Sequence, residues 1–178
     1  QVAPDLRERV RAALLEVGYR PNAAARHLRT GRTGMLAVAL PDLSQPYFAE
    51  LAAALVREAQ RRSITVLVNQ TDGNADTERR ISEGTDAPAV DGLIMSPLAL
   101  TARDFETRRD STPLVLLGEH IGDTHLPHVT VDNTAAARAA TEHLLRLGRR
   151  RIAAIGAQSD GPNETALLRL DGYRDALK

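Results

Sequence analysis

Apolar residues recur at spacings of three and four near the start of the chain, at Leu6, Val10, Ala13, Leu14 and Val17. This spacing predicts an amphipathic helix over residues 5–17, with Asp5 near its start and Gly18 as its stop. From Met35 the pattern changes. Short aliphatic runs at Met35–Leu40, Thr65–Asn69, Gly92–Ser96, Leu114–Leu117, Val129–Val131 and Arg151–Gly156 read as strands. Helical patterns fall between and after them, at Tyr47–Arg62, Asp76–Thr85, Ala102–Arg109, Thr134–Leu147 and Glu164–Leu177.

Strands that alternate with helices of this length predict βαβ units and a parallel sheet. Continuous apolar strands suit a sheet covered on both faces. Ligands of such sheets sit beyond the carboxyl ends of the strands. That rule directs attention to Pro41–Phe48, Gln70–Asp76, Ser96–Leu98, Gly118–Asp123, Asp132-Asn133 and Ala157–Thr165. Tyr47 and Phe48, adjacent aromatics, suit a flat ring or the apolar face of a sugar, or one of them anchors the helix in the core, Phe48 before Tyr47. Asp132-Asn133 suits a ligand hydroxyl or caps the following helix, and capping is the simpler reading.

The formal net charge is zero. It hides a division. Residues 1–33 hold seven Arg against Asp5, Glu8 and Glu16, a net of +4, and the remainder holds sixteen basic and twenty acidic residues, a net of −4. A basic arm on an acidic body is the asymmetry of a nucleic-acid-binding appendage. The arm's centre is Tyr19-Arg20-Pro21-Asn22-Ala23-Ala24-Ala25-Arg26-His27-Leu28-Arg29, followed by Gly31 and Arg32. A helix this short is marginal without a partner. Leu28 among arginines suits an apolar wedge between base steps, with the cations on phosphates. A solvated helical face before a linker is the plainer alternative.

Aromatics make up 3% of the chain, which disfavours stacking on single-stranded nucleic acid. The chain has no Cys, so disulfides and thiolate metal sites are excluded. No apolar run reaches the length of a membrane span, and the first residues lack the apolar stretch of a signal peptide. The ends of the chain, at Gln1 and Lys178, carry the expectation that this is a fragment.

Several stretches together resemble the lactose-repressor (LacI/GalR) family of bacterial transcription regulators. Val2–Val10 resembles the third helix of that family's DNA-binding headpiece, Gly18–Asn22 the turn into its hinge, and Ala23–Leu28 its hinge helix. Gln45–Leu51, Val90–Ile94, Val131–Asn133, His143–Ile152 and Arg169-Leu170-Asp171-Gly172-Tyr173 match motifs of its core. The resemblance implies an α/β, periplasmic-binding-protein-like core, a parallel sheet flanked by helices, preceded by a partial helical headpiece and a hinge helix. Implied boundaries are 1–20 for the headpiece helix, 21–33 for the hinge and linker, 34–148 for the first subdomain of the core and 149–178 for the start of the second.

By the same resemblance Tyr19, Asn22, Ala25, Arg26, Leu28 and Arg29 contact an operator in double-stranded DNA. Tyr47, Phe48, Ser96 and Asn133 line one side of an effector cleft, and Thr165 and Arg169 come from the other. Arg169 has its own alternative as a surface helix arginine. Gly118 stands where many members carry an acid, with Glu119 beside it. The implied protein is a cytoplasmic homodimer, probing its effector, a small sugar, without a cofactor and without contact with a membrane.

Two rival classes deserve comparison. An exported sugar-binding protein of the same core would lack a basic arm. An enzyme would need chemistry that is hard to find: the chain has no GxGxxG, no P-loop and no G-x-S-x-G. His120, His125 and His128 lie close in sequence, but only Asp123 accompanies them, and the expectation is that no metal is bound.

Overall fold

The computed structural model describes residues 3–18, 31–85, 89–121, 124–156 and 164–178. Contacts along the chain divide it into two compact units, residues 1–33 and 34–178. All six predicted DNA-contacting residues, Tyr19, Asn22, Ala25, Arg26, Leu28 and Arg29, lie outside the described residues.

The first unit contains helix α1, Pro4–Glu16. Its C-terminal turn carries Val17, whose N–H donates to the Ala13 carbonyl, and Gly18 follows with φ +63°. Leu6, Val10 and Val17 are exposed on it.

The second unit runs β1 (Met35–Leu40), α2 (Pro46–Arg61), β2 (Thr65–Gln70), α3 (Ala75–Ser82), β3 (Gly92–Met95), α4 (Ala102–Glu106), β4 (Leu114–Leu117), β5 (His128–Val129), α5 (Asn133–Arg146) and α6 (Glu164–Ala176). The strands form one parallel sheet in the order β2-β1-β3-β4-β5. The chain steps outward from β1 to β2 and then back across β1 to β3. The carboxyl ends of β1 and β3 therefore flank the point where the strand order reverses, which is where open α/β sheets bind ligands.

Alternation along the strands decides the packing. Ala37, Ala39, Leu93, Met95, Leu114 and Leu116 share one face and form the main core with Leu100, Phe105 and Ile121. Ile81 of α3 and Ala102 of α4 pack against this cluster. Val38 and Leu40, which point the other way from β1, are buried as well. β2 is an edge strand, and its Val68 is exposed.

Three local predictions are corrected. Arg151–Gly156 is not a strand: residues 151–154 are irregular and a turn follows. An apolar run becomes a strand when a neighbour pairs with its peptide groups. Here the Ile152 carbonyl accepts instead from the Tyr173 hydroxyl at 2.9 Å, and Ile155 is exposed. The helix predicted to Thr85 ends at Ser82, because Gly84 takes φ +65°. The helix predicted to Arg109 ends at Glu106, where the Thr107 hydroxyl bonds back to the carbonyls of Arg103 and Asp104.

Candidate functional site

The loops leaving the carboxyl ends of the strands are built by short, local polar contacts. After β1, the Asp42 carboxylate accepts from the Ser44 N–H at 2.9 Å, the Ser44 hydroxyl at 2.7 Å and the Gln45 amide at 3.2 Å. These bonds favour the charged form, with the Ser44 hydroxyl contributing most, and hold the Asp42 carboxyl below its usual range. The Gln70 side chain ties this loop to the next: its oxygen accepts from the Leu43 N–H, and its amide donates to Asp72. Pro46 then opens α2, and Tyr47 and Phe48 follow in its first turn. Their rings meet edge to face at 5.0 Å and 72°. Tyr47 is 66% exposed and Phe48 is half-buried, so neither is a pure core anchor.

Ser96 ends β3. It is buried, and its N–H donates to the Ala39 carbonyl. The loop beyond it is held from below by Glu78 of α3, whose fully buried carboxylate accepts from the N–H groups of Leu98, Ala99 and Leu100 at 2.8, 3.0 and 2.9 Å. After β4, Gly118 takes φ +90°, a backbone position that side chains rarely adopt. A Cβ there would stand 3.7 Å from Ser96 Oγ, so the two strand ends lie side by side. The His128 ring is hydrogen-bonded to the Gly118 carbonyl from β5.

The turn at Gly118 presents Glu119 to residues from three other segments. Glu119 Oε1 accepts from the Asn133 amide at 2.7 Å and, at 3.4 Å, from the Val131 N–H. Glu119 Oε2 accepts from the Thr165 hydroxyl at 2.9 Å. The other end of the Asn133 side chain, Oδ1, accepts from Arg169 Nε at 2.7 Å. Its amide also donates to the Val131 carbonyl at 3.1 Å. Asn133 is buried, and these partners fix which end of its amide is which. Asp132 and Asn133 divide the two predicted roles. Asp132 caps α5 by accepting from the Ala135 N–H at 2.8 Å, and Asn133 joins the cluster.

Of the six residues predicted to meet an effector, the structure brings Asn133, Thr165 and Arg169 into one hydrogen-bonded cluster. Ser96 lies beside Gly118, one residue from that cluster. Tyr47 and Phe48 stand on the β1 loop of the same sheet edge. Among the described residues no hydrogen bond joins them to Glu119 or its partners. Glu119 is the member that the prediction omitted. The signal available was its position, an acid two residues past the β4 end, beside Gly118. Arg169 is exposed and uses Nε on Asn133, so its Nη groups are the donors it presents. The arrangement holds a carboxylate, a hydroxyl and a guanidinium in fixed relation. Such a set recognises hydroxyl-rich molecules by donating and accepting at once. Among the described residues no group of three or more His, Cys, Asp or Glu is arranged to hold a metal ion.

The helices behind the cluster are in close contact. A Cβ on Gly172 of α6 would stand 2.1 Å from the Thr134 carbonyl oxygen of α5. Beside them, Ala137, Thr141, Leu144, Ile152, Leu170 and Tyr173 line an apolar groove of about 420 Å³ that also reaches Thr165 and Arg169.

A family profile described as the periplasmic binding proteins and sugar-binding domain of the LacI family matches residues 33–178. The ribose operon repressor of Halalkalibacterium halodurans is 33% identical over 178 residues, covering 99% of this chain and 52% of the relative. A solved LacI-family transcriptional regulator from Sanguibacter keddieii is 42% identical with a TM-score of 0.69, covering 82% of this chain and 51% of that one. The Cra transcriptional dual regulator from Pseudomonas putida, solved in complex with fructose 1-phosphate, is 26% identical with a TM-score of 0.64, covering 82% and 54%. The chain spans about half the length of the curated relatives it matches. The parallel sheet, the polar cluster at its carboxyl edge and these likenesses agree: the chain belongs to the LacI family.

Proposed function

We propose that the full-length protein is a DNA-binding transcription regulator, a repressor, whose operator affinity is set by a small sugar. The observation that carries the effector half of this reading is the cluster of Glu119, Asn133, Thr165 and Arg169, which offers both donors and acceptors at the ligand-binding edge of the sheet. Ser96, Tyr47 and Phe48 complete the same edge. The relatives support it: one is named for a ribose operon, and another was solved with a sugar phosphate. The DNA half rests on the sequence of the basic arm, with Leu28 as the minor-groove wedge and Tyr19, Asn22, Ala25, Arg26 and Arg29 around it.

In this reading residues 1–20 belong to a helix-turn-helix headpiece, 21–33 to the hinge, 34–148 to the first subdomain of the effector core and 149–178 to the start of the second. The regulator works in the cytoplasm as a homodimer on a duplex operator. No described helix is long and apolar enough to cross a membrane. An exported sugar-binding protein is the less favoured alternative, because the basic arm has no task there. The protein acts by binding rather than by catalysis, and it uses no cofactor. Control requires the effector to have different affinities for the DNA-bound and free forms.

Two variants of the full-length protein test the two halves. Leu28→Ala should weaken operator binding and reduce DNA bending without changing effector affinity. Arg169→Ala should lower effector affinity in calorimetry and spare operator binding when effector is absent. Wild-type operator affinity and bending for Leu28→Ala would refute the wedge, and wild-type effector affinity for Arg169→Ala would return Arg169 to the helix surface.

A further inference from the structure

The residue through which the chain passes from the basic arm into the sheet is held by a side chain. Gly34, directly before β1, takes φ +69° and is exposed, and a Cβ built on it would meet nothing within 4 Å. Packing does not fix it, so its hydrogen bonds do. Its N–H donates to Asp91 Oδ2 at 2.8 Å, across 57 residues of sequence. Its carbonyl accepts from the Thr65 N–H at 2.9 Å. Asp91 stands directly before β3 and Thr65 opens β2, so Gly34 is gripped from both strands that flank β1. The Asp91 N–H donates to the Met35 carbonyl at 2.8 Å and closes the grip one residue further on.

This grip lies at the amino edge of the sheet. The length of β3 separates Asp91 from Ser96 at the carboxyl edge, about 16 Å along the strand. Between them β1 and β3 pair from Leu36↔Gly92 to Ala39↔Met95, and the Ser96 N–H donates to the Ala39 carbonyl at the far end. The ladder uses backbone groups and the core uses apolar ones, so both persist without the Asp91 carboxylate. Gly34 does not: the carboxylate is the acceptor for its N–H.

We propose that Asp91 is a positioning residue for operator binding, whose carboxylate fixes the path by which the chain leaves the core towards the arm. The inference rests on the DNA-binding reading given above. A tether whose first residue is already held loses less freedom when the arm settles on DNA than one whose first residue is loose. Without the carboxylate, Gly34 keeps the bond from Thr65 and regains much of the wide conformational range of a glycine. That freedom has to be lost again at the operator, once for each arm. Half of one residue's backbone ordering amounts to about threefold in affinity per arm, and so about tenfold for a homodimer.

The test compares the full-length protein with its Asp91→Ala and Asp91→Asn variants on a duplex that the wild type selects from a random-sequence pool. Asp91→Ala should bind that duplex about tenfold more weakly. It should lose hydrogen-exchange protection at the Gly34 amide, keep the protection of the β1 amides, and melt within about 4 °C of the wild type. Asp91→Asn retains a side-chain oxygen for the Gly34 N–H and should restore duplex affinity to within about twofold. Wild-type duplex affinity in Asp91→Ala overturns the proposal and leaves the DNA-binding reading standing. A weaker affinity with Gly34 protection unchanged overturns it too, as does one that comes with a larger fall in melting temperature and is not restored by Asp91→Asn, which marks a general loss of folding. A wild-type protein that selects no duplex overturns the DNA-binding reading and the proposal together.

Discussion

The close approach of α6 to α5 at Gly172 makes Gly172→Ala the sharpest test of how the site is held. A Cβ added at Gly172 would meet the Thr134 carbonyl oxygen at 2.1 Å, the Thr134 carbonyl carbon at 2.9 Å and the Arg138 nitrogen at 3.0 Å. All three are backbone atoms of α5, so no side chain can turn aside. Relieving the first contact requires the helices to separate by about 1 Å, since a carbon normally stays more than about 3.3 Å from a carbonyl oxygen. Two effects oppose one another. Alanine is the better helix residue in the interior of α6, by about 1 kcal/mol. Overpacking against rigid neighbours costs about 3 kcal/mol, at the upper end of its usual range. The clash prevails, and a net loss of about 2 kcal/mol is expected.

For a chain of this size, that loss lowers the melting temperature by about 4–8 °C. The same displacement acts on function. Thr165 and Arg169 reach Glu119 and Asn133 from α6 at 2.9 and 2.7 Å, and a shift of about 1 Å takes both beyond hydrogen-bond range. Urea denaturation measures the stability, and calorimetric titration of the full-length protein with the sugar that it binds measures the site. Gly172→Ala that is as stable as the wild type, or more stable, would show that the propensity gain prevails and that the helices are not locked at this point. The contact also gives a physical reason for glycine in the Arg169–Tyr173 stretch: it is the point where a backbone must come close to another.

Two further outcomes are expected. Glu78→Ala leaves the buried N–H groups of Leu98, Ala99 and Leu100 without their acceptor and should cost about 3–5 kcal/mol in urea melts, with Glu78→Gln milder; a loss below about 1 kcal/mol for the alanine variant would show that the loop finds other partners. Asp104 is held below its ordinary carboxyl range, chiefly by the Thr101 N–H, so its contribution is present above the unfolded-state value and is lost as pH falls through the lower folded-state value; melts across the acid range should show a smaller acid-induced loss for Asp104→Asn, and identical acid profiles would refute the assignment.

Much of the architecture was legible because its signals are local. Met35–Leu40 and Leu114–Leu117 are apolar runs bounded by polar turns, and each became a strand at the predicted residues. The helices over 46–61 and 133–146 announced themselves by periodicity, to within one residue at each end. Arg151–Gly156 has the same local appearance and did not become a strand, because pairing is a property of two segments and periodicity describes one. The site divides in the same way. Ser96, Asn133 and Thr165 fall in segments picked out by the rule that ligands lie at the carboxyl edge, whereas Arg169, inside α6, came only from the family resemblance. Glu119 as the centre of the cluster could be read from neither, since its role depends on Gly118 turning the chain with φ +90° so that Asn133 and Thr165, 14 and 46 residues away, reach one carboxylate. Sequence decided the composition of each loop and the charge that it carries. Only the tertiary structure decided which of these groups meet, because hydrogen bonds depend on distances that chain separation does not encode.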